Sequence, residues 1–82
     1  MTITEKSKEI FLAYARDAEN WAGTPLIGGN VGGGKEERGN ITQLKKAGLV
    51  TTFNDEGFTF IQFTPAGIAY AKDLGVEVVA QE

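Results

Sequence analysis

Residues 29–35 read GNVGGGK, which fits G-x-x-x-x-G-K, the opening of a phosphate-cradling loop. Such a loop aims backbone N–H groups at phosphate oxygens, while its lysine reaches the terminal phosphates and a following Ser or Thr binds magnesium. Here Lys35 is followed by Glu36 and Glu37, whose charges oppose a triphosphate. No apolar run of strand length precedes Gly29, because Pro25 interrupts the only candidate. An 82-residue chain also leaves little room for the parallel sheet and the magnesium-binding acid that complete such a site. The expectation is no nucleotide and no cofactor. The glycines then serve a tight path into the next element, or let backbone amides at Gly32, Gly33 and Gly34 approach a phosphate at a helix N-terminus.

The segment after the loop carries the second candidate chemistry. At 100° per residue, Lys35, Gly39, Thr42 and Lys46 form an i, i+4, i+7, i+11 stripe opposite Ile41 and Leu44, with Arg38 and Gln43 flanking it. A helix presenting these residues suits the major groove of double-stranded DNA. Arg pairs with guanine, Gln with adenine and Thr with either, while Gly39 lets the helix lie close. The same residue types also make an ordinary solvated face, since Lys and Gln are good surface helix formers. Other chemistries are bounded by what is missing. With no cysteine and no histidine, disulfides, thiol catalysis, the usual zinc sites and imidazole acid–base chemistry are excluded. No constellation of nucleophile, base and orienting group stands out, so the expectation is no enzyme and no metal.

The elements that must position the stripe are legible in the patterning. Thr2-Ile-Thr-Glu5 has the form of a capping box, and Ile10, Phe11, Tyr14, Ala18 and Trp21 recur at helical spacing after it. That predicts a first helix over residues 5–20, with Trp21 buried at the end of its apolar stripe. Residues 23–39 hold seven of the eleven glycines, so they form a turn region, with Thr24-Pro25 able to open a single helical turn. A second helix is predicted over 35–47 and ended by Gly48. Two runs rich in β-branched and aromatic residues, 49–54 and 58–63, flank Asp55-Glu-Gly57 and read as a β-hairpin. Alternation puts Phe58, Phe60 and Gln62 on one hairpin face and Thr59, Ile61 and Phe63 on the other, so one face is either partly exposed or covered by a second chain. Thr64-Pro65 opens a third helix that Gly75 closes, and residues 76–82 are a short apolar tail.

From residue 39 to residue 72 the chain resembles the winged helix-turn-helix family. The resemblance rests on ITQLKKAGLVTT, on NDEG at the hairpin tip and on FTPAGIAYA. These follow that family's Leu-x-x-x-Gly-Leu-Val ending of a recognition helix, its β-wing, and the Phe-Thr-x-x-Gly start of its next helix. The first helix fits loosely. Residues 25–34 depart from the pattern, since a full helix normally sits there. The stretch from residue 23 to residue 50 also resembles small proteins of tailed phages and prophages, which implies a phage-encoded setting. The family resemblance implies DNA binding through the second helix.

Charge qualifies that implication. The net charge is −3, with +1 over residues 1–52 and −4 over residues 53–82. Lys35, Arg38, Lys45 and Lys46 crowd one short segment, whereas the wing tip carries Asp55 and Glu56 and would be repelled by phosphate. The expected fold is α+β, a small winged helix in one domain spanning residues 1–82. The expected function is a small non-enzymatic transcriptional regulator that binds DNA through Lys35, Arg38, Gly39, Thr42, Gln43 and Lys46. Few phosphate contacts make a homodimer useful for affinity. The alternative is an interaction module whose acidic hairpin and C-terminal half meet a basic protein partner. No apolar run of about 18 residues is present, so no membrane span is expected and the location is cytoplasmic.

Overall fold

A computed structural model of the protein describes residues 3–29 and 34–78. Helix α1, Glu5–Asp17, begins at Thr4, whose Oγ1 accepts the Ser7 N–H at 3.1 Å. The cap is therefore Thr4 and not the Thr2 of the expected capping box; Thr2 itself lies outside the described residues. The α1 stripe buries Ser7, Ile10, Phe11, Tyr14 and Ala15. The chain then tightens into a 3-10 turn, Ala18–Trp21, before Ala22 turns it with φ 54°.

Residues 25–27 correct the sequence expectation. Instead of a helical turn they run alongside the hairpin: the Ile27 N–H donates to Thr59 O at 3.0 Å, and the Ile61 N–H donates to Pro25 O at 2.9 Å. Leu26 bridges Phe60 between these bonds. The physical reason is that a proline still offers a carbonyl to a sheet edge, and pairing places Leu26 and Ile27 on opposite faces of a surface that can use both. A helical turn stopped at once by Gly28 satisfies fewer backbone groups.

Helix α2, Lys35–Lys46, buries Ile41 and Leu44 and packs on α1, where Ser7 Oγ donates to Asn40 Oδ1 at 2.7 Å. Gly48, at φ 79°, ends it in the left-handed conformation, and the Leu49 N–H returns to Leu44 O at 3.1 Å. Strands β1, Val50–Asp55, and β2, Phe58–Phe63, pair antiparallel from Val50 opposite Phe63 to Asp55 opposite Phe58. Glu56 and Gly57 join them with φ 51° and 85°, the pattern of a type I′ turn. Asn54 and Asp55 are thus strand residues, and the bend falls on the two residues after them.

Helix α3, Pro65–Asp73, is fastened to the hairpin by its cap. Thr64 Oγ1 accepts the Gly67 N–H at 3.0 Å and donates to Gly48 O at 2.6 Å. Gly67 packs so closely on the hairpin's start that an added Cβ would lie 1.9 Å from Leu49 O. Buried side chains from α1, α2, both strands, α3 and residues 76 and 78 form one cluster, with Phe11 against Phe63 (5.7 Å) and Tyr70 (5.4 Å). The result is an α+β fold in the order helix, helix, hairpin, helix, with a winged-helix-like topology.

Candidate nucleic-acid interface

The exposed face of α2 lies opposite Ile41 and Leu44, and Lys35, Arg38, Gly39, Thr42, Lys45 and Lys46 all stand exposed there. The helix is locally well specified. Glu36 and Glu37 occupy its first turn and Lys45 and Lys46 its last, each sign favoured by the helix dipole at that end. Glu37 Oε1 accepts the Gly34 N–H at 3.0 Å, the half of a capping box that a glycine N-cap allows. That carboxylate sits where an anion at the helix N-terminus would bind, so the amide of Gly34 is already satisfied. Gly32 and Gly33, the rest of the expected phosphate approach, lie outside the described residues. Glu36 faces Lys6 of α1 at 4.0 Å, an exposed pair that offsets some of its charge.

Gln43 and Arg38 lie on opposite flanks of the stripe. Gln43 is half-buried toward α1, and its Oε1 accepts the Thr4 N–H at 2.8 Å. Its carbonyl therefore helps cap α1, leaving the amide N–H groups as its outward chemistry. Arg38 instead turns toward the sheet. Together with Ile41, Thr42 and Lys45 it lines a cleft of about 150 Å³ whose far wall is Ile27, Thr52 and Thr59 from the sheet's inner face. Thr42 Oγ1 donates back to Arg38 O at 3.1 Å, and Thr59 Oγ1 donates to Asn54 Oδ1 at 2.6 Å, so both hydroxyls present lone pairs or bifurcated contacts rather than unengaged protons. The cleft brings two basic residues, Arg38 and Lys45, together with Thr42, Thr52 and Thr59, a residue set whose charge and hydroxyls suit an anionic oxygen.

Lys45 is the residue that the helical stripe missed. It lies off the stripe's axis, and only the sheet's position turns its side of the helix into a wall. The sequence signal was the Lys45-Lys46 pair, in which consecutive residues necessarily point about 100° apart. The cleft's other wall depends on residues 25–27 joining the sheet, which the proline-glycine composition disguised.

Tyr14 is buried in the core and interacts with the backbone of Gly28 ahead of the glycine-rich loop. Burial pushes its phenol above the ordinary value of 10.0, opposed by a hydrogen bond with the Gly28 backbone that favours the phenolate. Among the described residues, no group of three or more His, Cys, Asp or Glu side chains is placed to hold a metal, and no helix is long and apolar enough to cross a membrane. Comparison with protein-family models, with curated proteins and with solved structures finds no match.

Proposed function

We propose that the protein binds double-stranded DNA without catalysing a reaction, laying the exposed face of α2 in the major groove as a small transcriptional regulator. The phage setting implied by the sequence resemblance accords with a regulator of this size. The observation that carries the reading is the composition of one helix face. Lys35, Arg38, Thr42, Lys45 and Lys46 project from α2 around Gly39, beside a hairpin placed as a wing. Gly39 sharpens the reading. A Cβ there would meet none of the described residues within 4 Å, so no contact among them requires a glycine in mid-helix. That glycine costs roughly 0.5–1 kcal/mol of helix stability, which close approach of an external surface would justify.

In this reading Arg38 and Thr42 face base edges, Lys35 and Lys46 face phosphates, and Lys45 with Thr52 and Thr59 holds a backbone phosphate between helix and wing. The acidic tip at Asp55 and Glu56 contributes repulsion, so affinity rests on α2 and a second copy on an adjacent half-site strengthens it. The test is a titration with mixed-sequence duplex DNA at low and at moderate salt. Binding should fall with salt, and Lys46→Ala should weaken it on every sequence while lowering the log–log salt slope by about one unit. Absence of binding by the intact protein at low salt and high protein concentration defeats the reading.

A further inference from the structure

The inner sheet face meets the helices; the outer face, turned away from α2, is a band of rings. Phe53 and Phe60 stand directly opposite in the register and stack with centroids 5.5 Å apart and planes 21° apart. Trp21 meets Phe60 edge-on at 6.4 Å, and Leu26 bridges beside the same residue. Phe58, on this face near the turn, is 59% exposed, while Trp21, Leu26, Phe53 and Phe60 are each half-buried. An aromatic cluster left in water at this density, with its rings already fixed against each other, has the makeup of a contact surface: large apolar area with little rotamer freedom left to lose.

The rim selects the occupant. Residues 17–29 and 50–63 build this face, and every charged residue among them is acidic: Asp17, Glu19, Asp55 and Glu56. Asp55 is the cross-strand neighbour of Phe58, and Asp17 Oδ2 accepts the indole N–H of Trp21 at 2.9 Å. Stacked bases are disfavoured, since their phosphates would meet carboxylates. A second copy would bring an identical acidic rim against this one. A segment carrying both basic and apolar side chains complements the face: its cations meet Asp55 and Glu56 or lie over the rings, and its apolar groups cover Phe58.

We propose that the outer face of the hairpin, formed by Trp21, Phe53, Phe58 and Phe60 and rimmed by Asp55 and Glu56, docks a basic, apolar peptide segment of a partner protein. This surface lies apart from the α2 face and shares with the proposed DNA interface only the charge of Asp55 and Glu56. Trp21 is the single tryptophan of the chain, so indole emission reports on this face alone. The probe is a synthetic hexapeptide alternating arginine with leucine and phenylalanine, titrated into the intact protein. A saturable change in emission is expected, weakened roughly tenfold by Phe58→Ser and by the double change Asp55→Lys, Glu56→Lys, and unaltered by Lys46→Ala. The exposure of Phe58 makes its replacement compatible with folding, which a thermal melt checks. The proposal is overturned by an absent emission change, or by hexa-arginine binding as well as the mixed peptide. It is equally overturned if sedimentation shows a dimer that Phe58→Ser dissolves, since the occupant is then a second copy.

Discussion

The outward face of α2 and the outer face of the hairpin sit on opposite sides of the sheet and follow opposite physical designs. The α2 face is built from one continuous segment, and its working groups stand at the ends of long side chains. Lys35, Lys45 and Lys46 stand exposed, so ordering their long side chains on contact is costly and charge supplies the gain. The hairpin face gathers Trp21, Leu26, Phe53, Phe58 and Phe60 from three separate segments and fixes most of them by ring contacts before any partner arrives. The first surface is adaptable and basic. The second is preorganised, apolar and ringed by the other charge. A chain with so small a core thus separates two kinds of surface by putting the sheet between them.

Gly67 belongs to neither surface and supports both, so it gives the largest expected effect. An added methyl at 1.9 Å from Leu49 O has no room unless α3 moves off the hairpin. Gly67→Ala should cost about 3 kcal/mol or more, since the obstacle is backbone rather than a flexible side chain. Denaturant unfolding would measure it, and both surfaces should fail together. A variant as stable as the parent would mean that α3 is not clamped there.

Trp21→Ala tests the frame of the hairpin face alone. The sequence placed Trp21 in the core; it is half-buried on the sheet's outer side, with its indole N–H on Asp17. A fully buried tryptophan would cost about 3–5 kcal/mol on truncation, and the exposed half lowers the expectation to about 2–3 kcal/mol, part of it from the acceptor left at Asp17. The DNA binding proposed for the α2 face should be unchanged in conditions where the variant stays folded. Loss of both together would show that the two faces are coupled.

Charge reversal at the wing sets the faces against each other. Asp55 and Glu56 are exposed and lie in and beside the turn, so Asp55→Lys with Glu56→Lys should change stability by no more than about 0.5 kcal/mol. The same pair of changes should strengthen non-specific DNA binding by several-fold, on the order of 1 kcal/mol, because repulsion becomes attraction. Binding of a basic peptide to the hairpin face should weaken at the same time. Titrations with both probes on one sample give the comparison directly; parallel changes would mean one shared surface.

The unequal legibility of the two faces in the sequence has a physical cause. Helix α2 announces itself because one period and the Gly48 stop agree, and a single helical projection locates Lys35, Gly39, Thr42 and Lys46. The hairpin, the Thr64 cap and the α3 boundary are equally local and were equally plain. What stayed hidden depends on pairing at a distance. Nothing in Pro25-Leu-Ile27 indicates a strand until β2 is beside it, and that pairing positions Ile27 in the cleft and Leu26 on the aromatic face. The contact of Gln43, a flank of the stripe, with Thr4 is hidden for the same reason, since the two lie 39 residues apart. Alternation did show that the two hairpin faces differ, but which one is left outside depends on where the helices pack.

The one change expected to stabilise the protein bears on the α2 face and separates fold from function most cleanly. Gly39 sits in mid-helix, exposed, with open space where its Cβ would be. If the residue served only the fold, alanine would be the better choice, because it restricts the unfolded chain and favours the helix. Gly39→Ala should therefore stabilise the protein by about 0.5–1 kcal/mol, read as a rise in the denaturant midpoint at unchanged m-value. On DNA the sign should reverse. A methyl group between the helix and the groove holds Arg38 and Thr42 away from base edges, so affinity should drop while the salt slope, which counts phosphate contacts, changes little. A stabilised variant that binds DNA as tightly as the parent would show that the helix does not approach a surface at Gly39, and the major-groove geometry would have to be abandoned.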